Sequence, residues 1–510
     1  MTGAEVLAVL MVVAVCVALL AGYPVALTLG GVSLAFAILG DATGIMNMAL
    51  LGALPQRIFG VMTSEVLLAI PLFVFMGVML ERSRIAEDLL ETMGRLFGSL
   101  RGGLGVSVVI VGTLLAAAKG VVGATTVTLG LIVLPTMLRH AYEPRLAAGT
   151  VAATATLAQI FPPAIVLVLL GDQISNAYQS AQLAQGNFAP SSVSVADMFA
   201  GAIVPGLVLV ALYLVYLIAV AFLRPASSPP IPPAPDAPRG FALARRLGEA
   251  LVAPVALILA VLGSILGGLA TATEAAAVGA VGAILLAARR IGAGRPWPID
   301  ATIVALLAML TLRQAGPVVV IPLIVVALFG AGVALMRVYR DDSLREVTVR
   351  SAQFTSMIFL ILIGATMFSL VFRGLGGDDM VHRALSNLPG GTAAAILVVM
   401  LAMFLLGFFM DAFEIIFVVV PIVAPVLLRM PGVDPVWLGV LMAVNLQTSY
   451  MTPPFGPTLF FLRGVAPPEI TTRHLYAGVV PFVLIQLAVL AVLWFLPGLA
   501  TALPHALYGK

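Results

Sequence analysis

Twice in 510 residues a pair of adjacent prolines interrupts sequence apolar enough for a lipid bilayer: "LAQIFPPAI" around Pro162-Pro163 and "QTSYMTPPFGPTLFF" around Pro453-Pro454. Each pair removes two backbone N–H donors and frees carbonyls upstream, and in hydrocarbon such carbonyls persist only where protein, water or an ion satisfies them. The expected structure is therefore a membrane protein whose broken helices face an interior site. A bound cation is one group that satisfies freed carbonyls. Thr448, Ser449 and Thr452 add neutral oxygens suited to Na+, Gly456 lets the backbone turn, and Gln159 is the polar side chain beside the first pair. Proline kinks that shape packing without any ligand are the competing interpretation.

Composition supports the membrane setting, since 61% of residues are hydrophobic and 10% charged, whereas soluble domains carry about 25% charge. An all-α polytopic protein follows, with its surface turned to lipid. Spanning helices are expected near 6–20, 25–39, 66–80, 147–160, 199–223, 251–269, 318–336, 354–372 and 479–495. The first of these lacks a basic leader and a small-residue cleavage site and is expected to be a permanent span. The net charge of +3 comes from arginines clustered between apolar runs, which argues against nucleic-acid binding. A single cysteine, Cys16, allows neither a disulfide framework nor a thiolate metal site.

Basic residues set the orientation. The stretch 171–195 has none and is expected outside; Arg224, Arg239, Arg245 and Arg246 mark a cytoplasmic loop. Further cytoplasmic turns are marked by Arg289, Arg290 and Arg295, then by Arg337, Arg340, Arg345 and Arg350. The loop after Arg224 contains "RPASSPPIPPAPDAPRG", an extended proline-rich linker. Domains are accordingly expected at 1–223 and 248–510, joined by a linker over 224–247, with extra helices near 300–336 in the second half. Ile85, Leu89, Met93, Leu96, Phe97 and Leu100 oppose Glu87, Asp88, Glu91 and Arg95 at helical spacing, predicting an amphipathic helix at the interface or on a cytoplasmic loop.

The halves repeat. Gly102-Gly103 leads to Pro135 and then Pro162-Pro163; Gly390-Gly391 leads to Pro425 and then Pro453-Pro454, with gaps that agree to within about two residues. Matched interrupted segments in two halves point to the binding site of a secondary transporter. Ahead of each double proline lies a helix, a glycine-containing break and a second helix, over 102–138 and 391–428, broken at "KGVVGATT" and "GFFMDAFE". Arms too short to span, forming re-entrant hairpins whose tips line the transport path, are the expectation.

Intramembrane ionisable groups are functional candidates. Glu274 in "TATEAAAV" suits a helix cap. Asp411 and Glu414 suit either cation or proton binding, or a capping or arginine-paired role. Arg463 suits a substrate carboxylate or an interface anchor. His140, His382, His474 and His505 are scattered at loops and ends, and no phosphate-binding glycine loop followed by Lys and Ser or Thr exists. An intramembrane enzyme and a primary pump are both disfavoured; a channel stays open.

At this point the sequence resembles a family. "AIPLFVFMGVMLERSRIAEDLLETMGRLFG", "AAGTVAATATLAQIFPPAIVLVLLGDQ", "GGLATATEAAAVGAVGA", "FSLVFRGLGG" and "GVLMAVNLQTSYMTPPFGPTLFFLRGVAP" are similar, in order, to the large membrane subunit of TRAP (tripartite ATP-independent periplasmic) transporters. "LLGDQ" and "NLQTSYMTPPFG" most resemble the branch labelled mannitol/chloroaromatic-compound transport. The resemblance implies an elevator-type transporter with two inverted-topology repeats in the bacterial inner membrane. It implies Na+ coupling without ATP hydrolysis or organic cofactor, a small membrane subunit, a periplasmic binding protein and an organic-anion substrate. A proton-coupled transporter or channel acting without a binding protein is the alternative. Carried over, Na+ ligands are expected at Gly120, Gly123, Thr125, Thr126, Gln159, Pro162, Asn445, Thr448, Ser449, Thr452 and Pro453. Substrate contacts are expected at Lys119, Ala124, Gly407, Asp411 and Glu414. Lys119 stands where a small hydroxyl residue is common, followed by Val121 and Val122; Ala272 and Pro457 are smaller departures. An inward Lys119 would replace one Na+ or bind the substrate carboxylate; an outward one would do neither.

Overall fold

The computed structural model describes residues 2–83, 89, 92–94, 96–231, 241–291, 296–311 and 317–509. Among these, all regular structure is helical. Eight described helices are long and apolar enough to cross a membrane: Gly3–Leu20, Val25–Ala42, Val122–Arg139, Val195–Leu223, Ala272–Ile291, Val318–Arg340, Ser343–Gly374 and Thr472–Phe495. Much of their apolar surface is exposed, as at Leu10, Leu27, Phe222 and Leu484, which is the surface a bilayer covers.

Several expected boundaries move, each for a local reason. The span expected over 147–160 is only the first limb of a broken helix, Pro144–Thr156, followed by a 3-10 turn, Leu157–Gln159. Its 13 residues reach only about 20 Å, short of the ~30 Å hydrocarbon core. Helix Ala69–Arg82, with 14 residues, is similarly short. The expected outside loop 171–195 is helical as far as Ala184, because Asp172, Gln173, Asn176 and Gln179 lower hydropathy without breaking a helix. The helix after the linker starts at Phe241, inside the stretch assigned to the linker; residues 232–240 lie outside the described residues. The amphipathic-helix expectation rests largely on Ile85, Glu87, Asp88, Glu91 and Arg95, which also lie outside them; of its apolar face, Leu89 and Met93 are buried.

The halves interlock by exchanging partners. Helix Ala69–Arg82 of the first half packs along Ala272–Ile291 of the second, and Ser343–Gly374 of the second packs along Val25–Ala42 of the first. Deeper inside, the limb Pro457–Val465 covers the hairpin arm Val122–Arg139, while the arm Val420–Leu427 covers the limb Ile165–Ala184. Each half thus shields the other's interrupted segments. That reciprocity buries Pro162 and Pro163 at the first break, whereas Pro454 and Phe455 at the second stay exposed; irregular backbone at membrane depth is tolerated only where protein or water meets it.

Candidate functional site

The first hairpin consists of Gly103–Lys119 and Val122–Arg139. Its break is narrower than "KGVVGATT" suggests. Only Gly120, left-handed at φ +62°, and the extended Val121 lie outside helix. Thr125 and Thr126 continue the helix and return their hydroxyls to Val121 O and Val122 O, each at 2.8 Å. The second arm therefore has 18 residues and is long enough by length and composition to span, contrary to the expectation of two short arms. Val121 supplies no side-chain cap, so the N–H groups of the first turn, Val122 to Ala124, have no helical acceptor. The tip rests on the first break: a Cβ on Gly120 would lie 3.2 Å from Ile165 N and 3.4 Å from Pro163 O.

Lys119 is buried, with 4% of its side chain exposed. Its Nζ lies 3.1 Å from Glu81 Oε2 and donates to Thr128 Oγ1 at 2.7 Å, while Thr128 lies 2.8 Å from Glu81 Oε1. The ammonium is thus neutralised by a carboxylate at the end of helix Ala69–Arg82. In this geometry the ammonium is engaged by Glu81 and Thr128.

The second hairpin runs from Gly391–Leu406 through 407–411 into Ala412–Val418 and Val420–Leu427. Asp411 is an N-cap in a capping box: its own N–H donates to Glu414 Oε2 at 2.9 Å, and its carboxylate accepts from the start of the helix. Of the roles left open for these acids, the capping one has its hydrogen bonds here. Tyr450 OH also donates to Asp411 Oδ1, and Ala412 N–H donates to Tyr450 Oη at 3.1 Å. Gly407 lies against the second broken helix, where a Cβ would be 2.1 Å from Ser449 Oγ. Both tips therefore sit on the breaks of their own halves.

Those breaks match. Pro162-Pro163 and Pro453-Pro454 are both cis. Gln159 is 1% exposed and its Oε1 has no hydrogen-bond partner among the described residues. Around the second break, Asn445 Nδ2 donates to Met400 O at 2.8 Å. Thr448, Ser449 and Thr452 donate to Val444 O, Leu446 O and Thr448 O at 2.8, 2.8 and 2.7 Å, leaving their oxygens' lone pairs available. Behind both breaks, Thr156 Oγ1 accepts from Gln447 Nε2 at 3.4 Å and Gln486 Nε2 at 3.3 Å, and Gln486 also donates to Tyr213 at 2.8 Å.

A cavity of about 410 Å³ lies between the two tips. It brings together Gly120, Gly123, Ala124, Gln159 and Asp411 of the expected site. Thr125, Thr126, Pro162, Asn445, Thr448, Ser449, Thr452, Pro453, Lys119, Gly407 and Glu414 are not among its lining residues. Sequence reasoning missed Glu81, Thr128, Tyr450 and Arg350, which also line it. Glu81 carries a signal, since a carboxylate closing an apolar run calls for a partner; Arg350 was assigned only as a marker of orientation. Two other acids and bases fall outside. Glu274 caps Ala272–Ile291 through a Thr271 capping box, with bonds of 2.8 and 3.2 Å. Arg463 donates to Ile470 O in the following loop.

Residues 10–499 match the family model described as the DctM component of the tripartite ATP-independent periplasmic transporter. The chain belongs to this family. Among curated relatives of the TRAP family, it is 28% identical over 458 residues to the C4-dicarboxylate large permease of Pseudomonas aeruginosa, covering 89% of each chain. It is 26% identical to the ectoine/5-hydroxyectoine large permease of Ruegeria pomeroyi, covering 97% of this chain and 98% of that one. Its fold is similar to the Alcanivorax borkumensis YdaH transporter, with TM-score 0.55 and 16% identity over 89% of this chain and 90% of that one. The TRAP large permease is thus a multi-pass membrane protein, and its relatives are permeases rather than enzymes. These matches do not single out the mannitol/chloroaromatic branch.

Proposed function

We propose that this TRAP large permease imports an organic anion, with Na+ as coupling ion, from a periplasmic binding protein and together with a small membrane subunit. The observation that carries this reading is the cavity where two hairpin tips meet: N–H groups from Val122 to Ala124, which have no acceptor within their own helix, suit an anion, and the unpartnered Gln159 Oε1 suits a cation. Relatives named for C4-dicarboxylates, isethionate and sialic acid support an acid as substrate. In the second half, Na+ would meet the freed carbonyls near Pro453 with oxygens of Thr448, Ser449 and Thr452, and Asn445 behind them.

Transport would follow an elevator movement. The mutually packed helices Val25–Ala42, Ala69–Arg82, Ala272–Ile291 and Ser343–Gly374 form the wall, and the hairpins with their broken helices form the body that travels. The domain division at the proline-rich linker fits this scheme, since each half contributes to both parts.

The test is uptake into proteoliposomes by the full chain with its small subunit and binding protein. An inward Na+ gradient should drive accumulation of an organic acid above its external concentration. Accumulation driven equally by a proton gradient without Na+ contradicts the coupling, and equilibration without accumulation points to a channel.

A further inference from the structure

The cavity wall is chemically uneven in a way that bears on the substrate. Among the described residues its charged side chains are Glu81, Arg350 and Asp411. Glu81 is paired with Lys119, whose buried ammonium also donates to Thr128. Asp411 is held by Tyr450 and by the helix it caps. Arg350, on the wall helix Ser343–Gly374, is different. Its Nη2 lies 3.0 Å from Glu346 Oε1, and that same oxygen is also paired with Arg82. One carboxylate oxygen is thus shared by two guanidinium groups, while 47% of the Arg350 side chain stays exposed. A guanidinium offers five donors in a fork that fits carboxylate.

Apart from Gln159, Thr128 and Tyr450, the rest of the lining is apolar or glycine, with Val121, Val127, Val166, Phe354, Met357 and Phe413 prominent in it. Its two hydroxyls are engaged, Thr128 with Lys119, Glu81 and Ala124 O, and Tyr450 with Asp411 and Ala412 N–H. A polyhydroxylated substrate would find only Gln159 unpartnered for its hydroxyls here, and a second carboxylate would meet no cationic side chain besides Arg350 among the described lining residues.

Resting on the reading of the chain as an organic-anion importer, we propose that its substrate is a monocarboxylate with an apolar body, whose carboxylate is received by Arg350. Val122, Gly123 and Ala124, the first turn of the first hairpin's second arm, line the same cavity, as does Gln159, whose Oε1 has no partner among the described residues. The relatives named for dicarboxylates then differ from this chain in substrate. Arg350, which orientation alone would place at the cytoplasmic surface, also becomes a specificity-determining residue.

The experiment uses the full-length chain in nanodiscs with NaCl present, and measures thermal stabilisation by 3-phenylpropionate, succinate and gluconate. The first should act at a concentration at least about tenfold lower than the other two, because buried groups left unpaired discriminate strongly. Arg350→Met should abolish the response to 3-phenylpropionate, with Arg350→Lys retaining part of it, while Na+ alone stabilises both variants as it does the parent. Equal or better stabilisation by succinate or gluconate overturns the proposal and leaves organic-anion transport standing. An undiminished response in Arg350→Met overturns the role of that residue. No response to any of the three acids, with the Na+ response intact, overturns both the proposal and the organic-anion reading.

Discussion

The two hairpin tips occupy matching places in the repeat and are tethered in opposite ways. The second is tied within its own half: Asp411 caps the arm that follows and holds Tyr450 of the second broken helix, and Gly407 touches Ser449 on that helix. The first rests on its own broken helix at Gly120, yet its charge goes elsewhere, from Lys119 to Glu81 on a wall helix. Backbone contact reinforces the link, since a Cβ on Gly77 of that helix would lie 2.8 Å from Lys119 Cα. One tip is thus built as part of a unit, and the other also carries a link to its surroundings. In an elevator movement the second tip would travel with its bonds intact, whereas the Lys119–Glu81 pair would have to open or carry helix Ala69–Arg82 along.

The largest effect should come from breaking the first tether on one side. Glu81→Gln leaves Lys119 buried without a counter-charge, which costs about 3–5 kcal/mol when a buried pair loses one partner. Thermal unfolding in nanodiscs should show a marked loss, and the double variant Glu81→Leu with Lys119→Met should recover most of it. A single variant as stable as the parent breaks the contrast between the tips. Next, Gly407→Ala places a methyl group against Ser449 and should cost about 1–3 kcal/mol through overpacking. Adding Ser449→Ala should restore part of that stability, confirming that the second tip and its broken helix are in contact. Smallest is Tyr450→Phe, which removes one hydroxyl shared by Asp411 and Ala412 N–H. A loss of about 1 kcal/mol is expected, visible as faster hydrogen exchange confined to the start of Ala412–Val418.

Much of this architecture is legible in the chain. The Gly-Gly, proline and double-proline series marks both hairpins and both broken helices, because glycine and proline act locally through the backbone. The Asp411–Glu414 spacing is that of a capping box, and Thr271–Glu274 likewise. The width of the first break is not legible, since Gly123 and Ala124 suggest looseness that Thr125 and Thr126 cancel by bonding back to the helix. Nor are Glu81 beside Lys119, or Arg350 beside the hairpin tips, because those meetings arise from packing between helices remote in sequence. The apolar cavity wall is hidden for the same reason: in a chain this hydrophobic, lipid-facing and site-facing valines look alike.

The proposed function requires both tips to close over one Na+-dependent site. Its most direct measurement is the labelling rate of single cysteines at Ala124 and Thr452, one near each break, in a Cys16→Ala background in proteoliposomes, with Na+ exchanged for K+. Protection by Na+ at both positions is the predicted result. Equal rates in Na+ and K+ at both positions would contradict it.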